Sequence, residues 1–214
     1  MTVRCRQHVN PLAIKFQQPV ALPDWSERFA DLSRPLLLDI GCARGRFLMD
    51  MAAARPDWNC LGLEIREPLV EEATGRATEL GLSDRLQYLF CNANVSIESI
   101  LAGLPTQRME LVTIQFPDPW FKKRHQKRRV VQPELVAALA QALQPGARVF
   151  LQSDILELEE DMCDRFSEHP AFRRLTTDWI PENPLGVPTE RELSVQRRNL
   201  PVFRSLYERT GSGS

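Results

Sequence analysis

Five short apolar runs, at residues 36–40, 60–64, 86–91, 111–115 and 149–152, recur along the chain with amphipathic or turn-rich stretches between them. Runs of this length, rich in Leu, Val and Ile, read as strands covered on both faces. The stretches between them supply the covering helices. One follows the first run and ends near Arg55 and Pro56; another spans 68–80 and closes at Gly81. Pro133 opens a third, whose Leu135, Val136, Leu139 and Leu143 share a face before Pro145 and Gly146 stop it, and Ile155, Leu158, Met162 and Phe166 mark one face of a fourth. Such alternation specifies an α/β fold: a doubly wound, mostly parallel sheet with helices on both faces, Rossmann-like in plan. Beyond residue 173, Leu175 and Thr176 suit a strand, 181–188 a loop and 202–207 a last strand.

Residues 1–34 differ in character. They are polar, hold Pro11, Pro19 and Pro23, and show no clean period, so they are expected to form an arm that lies across the domain or orders with a partner. The domain proper is expected at 35–210, with the Gly-Ser segment 211–214 as a flexible tail. With 27 Lys and Arg against 28 Asp and Glu, the net charge of -1 provides no global attraction for nucleic acid or membrane. Affinity for a polyanion must be local. Five widely spaced cysteines without a C-x-x-C pair argue against a disulfide framework and a zinc site, so no metal is expected. Cys60 and Cys91 fall in strand-like runs and read as small core residues. No signal peptide or membrane-length apolar run is present in the sequence, which makes the cytoplasm the expected location, with no membrane partner.

The first strand runs into Asp39-Ile40-Gly41-Cys42-Ala43-Arg44-Gly45. Glycines between a strand and a helix let a ligand approach the backbone closely. The Gly-x-x-x-Gly spacing differs from the Gly-x-Gly-x-x-Gly of dinucleotide sites, and an acid precedes the first glycine by two residues. Bare amides suit a pyrophosphate, whereas a carboxylate such as Asp39 suits the sulfonium and amino groups of S-adenosylmethionine. Glu64 closes the second strand, where a carboxylate can accept hydrogen bonds from both ribose hydroxyls. Asn92 follows the third, and its amide can meet an adenine edge. Each of these alone also reads as a helix cap or a solvated turn residue. Together, at successive strand ends, they point to an adenosine-type cofactor and favour a methyl donor over a nicotinamide.

The fourth strand leads into Phe116-Pro117-Asp118-Pro119-Trp120, followed by six cations in eight residues: Lys122, Lys123, Arg124, Lys127, Arg128 and Arg129. The prolines are expected to extend the residues before them and so present Asp118 and Trp120 in a defined direction. The cations are expected to contact phosphates without reading sequence. Trp120 and Phe121 can stack on an unpaired base or anchor the turn, and for Trp120 anchoring is the favoured reading. His125, among cations and without an acid partner, is assigned no chemistry. Asp154, after the fifth strand, reads equally as a helix cap or a substrate contact. Thr189 followed by Glu192 fits a helix-capping pattern.

Asp39-x-Gly41-x-x-x-Gly45, Glu64, the Phe116–Trp120 block with Lys122, the Lys127-Arg128-Arg129 run, Ser153-Asp154 and Thr189-x-x-Glu192 together resemble the bacterial tRNA (guanine-N(7)-)-methyltransferases. The opening Arg6-Gln7-His8-Val9-Asn10-Pro11 is similar to that family's N-terminal segment, and the likeness covers nearly the whole chain. The resemblance implies a class I methyltransferase fold and methyl transfer from S-adenosylmethionine to ring nitrogen 7 of a guanosine in the tRNA variable loop, at position 46. It implies that Asp39, Gly41, Gly45, Glu64, Asn92 and Asp118 form the cofactor site, with Asp118 as the catalytic acid. Lys122, Asp154 and the Thr189 to Glu192 segment would contact substrate. Asp39 stands where many members carry Glu, Asn92 where many carry Asp, and Ala43 replaces a frequent glycine.

Ring nitrogen 7 carries an in-plane lone pair and no proton, so attack needs alignment more than a general base. Asp118 is therefore expected to hold the guanine N–H edge, to stabilise the developing positive charge, or both. Two other readings keep the sheet: methylation of an adenine amino group, whose enzymes carry an Asn/Asp-Pro-Pro-aromatic block at this place, and a tRNA-binding protein without turnover. A nicotinamide oxidoreductase is disfavoured by the glycine spacing.

Overall fold

In a computed structural model of the chain, residues 9–211 are described. The Arg6-Gln7-His8 part of the opening segment and the 212–214 part of the tail lie outside the described residues. The sheet is organised around β1 (Leu36–Ile40), all five of whose residues are buried. It pairs in parallel with β2 (Asn59–Glu64) on one side and β4 (Met109–Gln115) on the other. β3 (Leu86–Phe90) extends the sheet beyond β2, and β5 (Arg148–Ser153) extends it beyond β4, both in parallel. β7 (Phe203–Arg209) is then antiparallel to both β5 and β6 (Phe172–Arg174). The order is β3-β2-β1-β4-β5-β7-β6. It reverses between β1 and β4, and such reversal opens a crevice at the strands' carboxyl ends.

The strand runs lack polar alternation because both faces are covered. Leu36, Leu38 and Ile40 belong to one apolar cluster with Leu61, Leu63, Val112, Ile114, Val149 and Leu151, while Leu37 joins Cys60, Leu111 and Phe150 in another. The first cluster is sealed by α4 (Ala93–Gly103), α5 (Pro133–Ala142) and α6 (Leu156–Ser167), the second by α2 (Arg46–Ala54) and α3 (Glu67–Glu79). α7 (Glu190–Arg197) precedes β7. Burial pushes the Cys60 and Cys91 thiols up to about 12, which suits packing rather than chemistry. Among the described residues, no helix is long and apolar enough to cross a membrane.

Two departures from the sequence reading have local causes. α4 gives no clear amphipathic signal because Ser96 interrupts its buried stripe; that hydroxyl is spent on the arm, accepting from the Val20 N–H at 3.1 Å. β6 ends at Arg174, ahead of Leu175 and Thr176, although the Leu175 N–H still donates to the Leu206 carbonyl at 2.9 Å.

The arm's residues 9–34 lie across α4 and the β3 edge. α1 (Trp25–Arg28) is capped by Asp24, which accepts from the Ser26 N–H. Trp25 and Phe29 stack at 5.8 Å and enter the first cluster, and Phe16 meets the Phe90 ring edge-on at 6.5 Å. Asn59 and Gln87 donate to the Asp31 and Arg28 carbonyls, at 2.8 and 3.0 Å. Since Trp25 is only 5% exposed, Trp25→Ala is expected to cost ~3–5 kcal/mol. Urea unfolding checks this: a peripheral arm would cost under ~1 kcal/mol and leave the main transition in place.

Candidate active site

The β1–α2 turn is pinned to β2: the Gly41 and Cys42 N–H groups both donate to the Leu63 carbonyl, at 2.8 and 3.0 Å. Gly41, Ala43 and Gly45 all have positive φ, at 91°, 50° and 68°. At Gly45 a methyl group would also collide with the Tyr88 ring, whose hydroxyl donates to the Gly45 carbonyl at 2.7 Å. Gly41 faces open space, so its requirement is conformational. Ala43, which carries a Cβ at φ 50°, bears a left-handed strain of ~1–2 kcal/mol.

Two cavities meet above these turns. The smaller, about 140 Å³, is lined by Glu64, Ile65, Cys91, Asn92 and Ala93, with Val9 and Pro11 of the arm as one wall. The larger, about 800 Å³, is lined by Asp39, Arg46, Gln115, Phe121, Asp154 and Thr189 among others. Gly41, Arg66, Phe116, Pro117 and Asp118 line both. Half-buried Asp118 thus stands at the junction.

Asp39 is 4% exposed and accepts from the Thr113 hydroxyl at 2.6 Å. Burial pushes its pKa up to about 6; Thr113 and the Gln115 amide oppose the rise, and Glu64 adds to it. The Gln115 Nε2 is buried but meets no acceptor at full hydrogen-bond geometry, which leaves a donor beside Asp39 for a ligand. Glu64 is filled to capacity. It accepts from the Ala43 N–H at 3.0 Å and the Arg66 N–H at 3.0 Å, and from Arg66 Nε and Nη2 at 2.8 and 2.9 Å. A ligand's hydroxyls reach this carboxylate only by displacing the Arg66 guanidinium. Asn92 lines the smaller cavity, yet its Oδ1 caps α4 through the Asn94 N–H, and its Nδ2 donates to the Pro11 and Phe16 carbonyls at 3.0 and 3.2 Å. Its amide is committed to the helix start and the arm.

The Phe116 N–H donates to the Gln152 carbonyl at 2.8 Å, carrying the β4–β5 ladder one residue past β4. There the chain turns sharply. Phe116 and Trp120 have φ of 48° and 43°, so the extension expected before Pro117 does not occur at Phe116; leaving the sheet at this point demands a left-handed residue. Trp120 anchors the loop that follows, with the Arg128 guanidinium 4.9 Å over its ring and the His125 ring edge-on at 5.9 Å. Partial burial and the cations Arg128, Arg124, Lys122 and Lys127 lower the His125 pKa. Lys122, Lys123, Arg124 and Lys127 are exposed. Arg129 is not part of that strip. At 3% exposure, it donates to the Pro119 carbonyl at 2.8 Å and pairs with Glu157 and Asp161 on α6, both at 3.1 Å. A guanidinium so enclosed fastens the loop to the body.

Asp154 makes no capping bond to α6; it pairs with Arg191 at 2.6 Å and faces the larger cavity. Thr189 Oγ1 accepts from the Glu192 N–H at 3.1 Å and caps α7. The Glu192 carboxylate turns inward, 1% exposed, to Arg204 at 2.7 Å, Asn183 at 2.8 Å and Gln152 at 3.2 Å. Buried Arg204 requires a counter-charge, and Glu192 supplies it.

A family model described as "Putative methyltransferase" matches residues 33–205. A tRNA (guanine-N(7)-)-methyltransferase of Synechococcus elongatus is 62% identical over 207 residues, covering 97% of each chain. The protein of the same description from Trichormus variabilis is 56% identical over 208 residues, covering 97% of this chain and 96% of its own. The chain belongs to the tRNA (guanine-N(7)-)-methyltransferase family. Among solved structures it is similar to the 16S rRNA methyltransferase KamB, with a TM-score of 0.58 at 16% identity over 82% of this chain and 88% of that one. The aminoglycoside resistance methyltransferase NpmB1 aligns with a TM-score of 0.56 at 16% identity, over 83% and 88% of the two chains. These two are likenesses of fold.

In this family member, three residues of the site escaped sequence reasoning: Thr113 and Gln115 beside Asp39, and Arg66 on Glu64. The first two project from a strand read only as apolar core, and Arg66 carries no local signal. For Asp39 the titration has a direct consequence. Unfolded, it titrates near 3.8, and folded, near 6. The folded state therefore holds a proton the unfolded state loses, and stability falls as pH rises between those values and is level above them. Asp39→Asn, which keeps an acceptor for Thr113, is expected to exceed the parent protein's stability by ~2 kcal/mol near pH 7.5 and to match it near pH 4. Urea unfolding at both pH values decides; an equal gain at both would show that ionisation is not the cause.

Proposed function

We propose that this protein transfers the methyl group of S-adenosylmethionine to ring nitrogen 7 of a guanosine in tRNA, at position 46 of the variable loop. The observation that carries this reading is the position of Asp118, on the wall shared by a small cavity containing the strand-end acid Glu64 and a groove large enough for a nucleotide.

The residues present fit the cofactor. Ile65, Cys91 and Ala93 offer an apolar slot beside Glu64 for an adenosine, and Asp39, Gly41 and Gln115 offer an anion, an open turn and a spare donor. S-adenosylmethionine supplies an electrophilic methyl group on a cationic sulfur. Asp39 provides the negative charge for its cationic end, and Glu64 takes the ribose hydroxyls once Arg66 swings aside. Asp118 accepts from the guanine N–H edge and stabilises the positive charge that grows on the ring, without removing a proton. Alignment of the two reactants is worth up to ~7–11 kcal/mol. Phe121, 64% exposed on the wall of the larger groove, suits stacking on a splayed base. Lys122, Lys123, Arg124 and Lys127 run from it as phosphate contacts, with Arg128 at their inner end. Asp154 and Thr189 meet the substrate from the far wall, which Glu192 braces from behind. Free, buried Cys42, Cys60, Cys91 and Cys163 suit a reducing cytoplasm.

Incubation with labelled S-adenosylmethionine and unmodified tRNA, followed by digestion and mass spectrometry, is expected to give 7-methylguanosine. Methyl on an exocyclic nitrogen, or none, would overturn the reading. Asp118→Ala should lower transfer ~100-fold or more while tRNA affinity changes little. Changing Lys122, Lys123, Arg124 and Lys127 together to Ala should flatten the salt dependence of tRNA affinity by ~0.7–0.9 per cation in log–log slope. Arg129→Ala should instead lower stability by ~1–3 kcal/mol, since its partner acids are part-exposed and not stranded in the core; a melting curve separates the two effects.

A further inference from the structure

The larger groove's far wall, from which Asp154 and Thr189 meet the substrate, also carries two arginines that the reaction above leaves without a role. Arg46, the first residue of α2, forms an ion pair with Glu190, the first residue of α7, joining segments 144 positions apart. Arg191, the next residue, is held by Asp154 at 2.6 Å. All four line the groove. Asp154 lies just ahead of α6, the helix that holds the 122–128 loop, whereas Arg46 belongs to α2 on the opposite face of the sheet. Arg129 fastens that loop to α6, over the cluster of Val149 and Leu151, whereas α2 and the Leu185 and Val187 segment before α7 pack on the cluster of Phe150.

We propose that Arg46 and Arg191 form a second phosphate-contact strip for RNA, and that Glu190 occupies the Arg46 guanidinium until a phosphate displaces it. This rests on the tRNA reading above. Both members of the Arg46–Glu190 pair are open to water, with side-chain exposures of 41% and 56%. Exposed pairs of this kind contribute little, because water screens them and two long side chains must be held in place, so the latch is weak. A phosphodiester oxygen pair matches the planar guanidinium as well as a carboxylate does, and RNA binding adds the release of counterions, which Glu190 cannot offer. Arg191 differs in its partner. Asp154 is 13% exposed against 51% for Arg191, so the acid orients the guanidinium from below and leaves its outer edge toward solvent. Five N–H donors allow one guanidinium to serve Asp154 and a phosphate together. With the protein's net charge at -1, the exposed cations of the 122–127 segment give the local field that a polyanion requires, and the far wall, where Glu190 and Asp154 balance the two arginines, adds directed hydrogen bonds to phosphate.

The test measures binding of unmodified tRNA against salt for the full chain and for Arg46→Ala, Arg46→Lys, Arg191→Ala, Glu190→Gln and the Arg46→Ala/Glu190→Gln pair, with thermal melting alongside. Arg46→Ala and Arg191→Ala should each weaken binding about fivefold and lower the log–log salt slope by ~0.7–0.9, with Arg46→Lys keeping the slope. Glu190→Gln should tighten binding about two- to fivefold, and most of that gain should vanish when Arg46 is already Ala. Unchanged slopes in the Arg variants, with only their melting temperatures lowered, would make the pair a structural clasp and overturn the proposal. An equal gain from Glu190→Gln with and without Arg46 would overturn the latch. A parent protein that neither binds nor methylates tRNA would overturn the proposed function itself, a result distinct from either.

Discussion

The parallel pairing of β1 with β2 on one edge and β4 on the other is the constraint on which the rest of the molecule depends. Chains leaving β1 and β4 are drawn apart to cover different faces, so their exits cannot pack against each other and a crevice remains between them. Asp39 sits at the end of β1, Glu64 at the end of β2, and the Asp118 turn just past β4. Residues 79 positions apart in the chain, from Asp39 to Asp118, thereby line one groove. The inserted antiparallel β7 brings Arg204 beside Gln152 and, through Glu192, fixes α7 on the groove's far side.

The acids at these strand ends meet different partners. Glu64 accepts four hydrogen bonds, three of them from Arg66, whereas Asp39 accepts from the Thr113 hydroxyl, has the Gln115 amide beside it and is raised by burial. A cationic ligand therefore finds in Asp39 a group whose desolvation is already part of the fold. A hydroxyl-bearing ligand finds in Glu64 a group that must exchange one partner for another. In both cases stability is set against binding.

The basic segment shows how burial sorts residues of one chemical type. Among six cations in eight residues, Arg129 points into the body and secures the loop to α6, Arg128 lies on Trp120, and the remaining four face water. The two arginines at the end of the segment thus anchor it, while the four cations before them stay in water.

The strand cores, α2, α3, α5 and α6, and the Gly41 to Gly45 turn were determined by the sequence itself, since apolar run length, helical spacing and turn glycines are local properties. The positions of Asp39, Glu64 and Asp118 at strand ends followed from the same pattern, and family likeness brought Asp154 and Thr189 into view. What tertiary structure decided was which partner each polar group meets. Asn92 went to the arm and α4, Glu192 to Arg204, Arg129 to Glu157 and Asp161, and Arg66 to Glu64. No spacing rule encodes these choices: a carboxylate or guanidinium looks the same in sequence whether it faces solvent, ligand or counter-ion, and only the burial imposed by packed neighbours makes one partner obligatory.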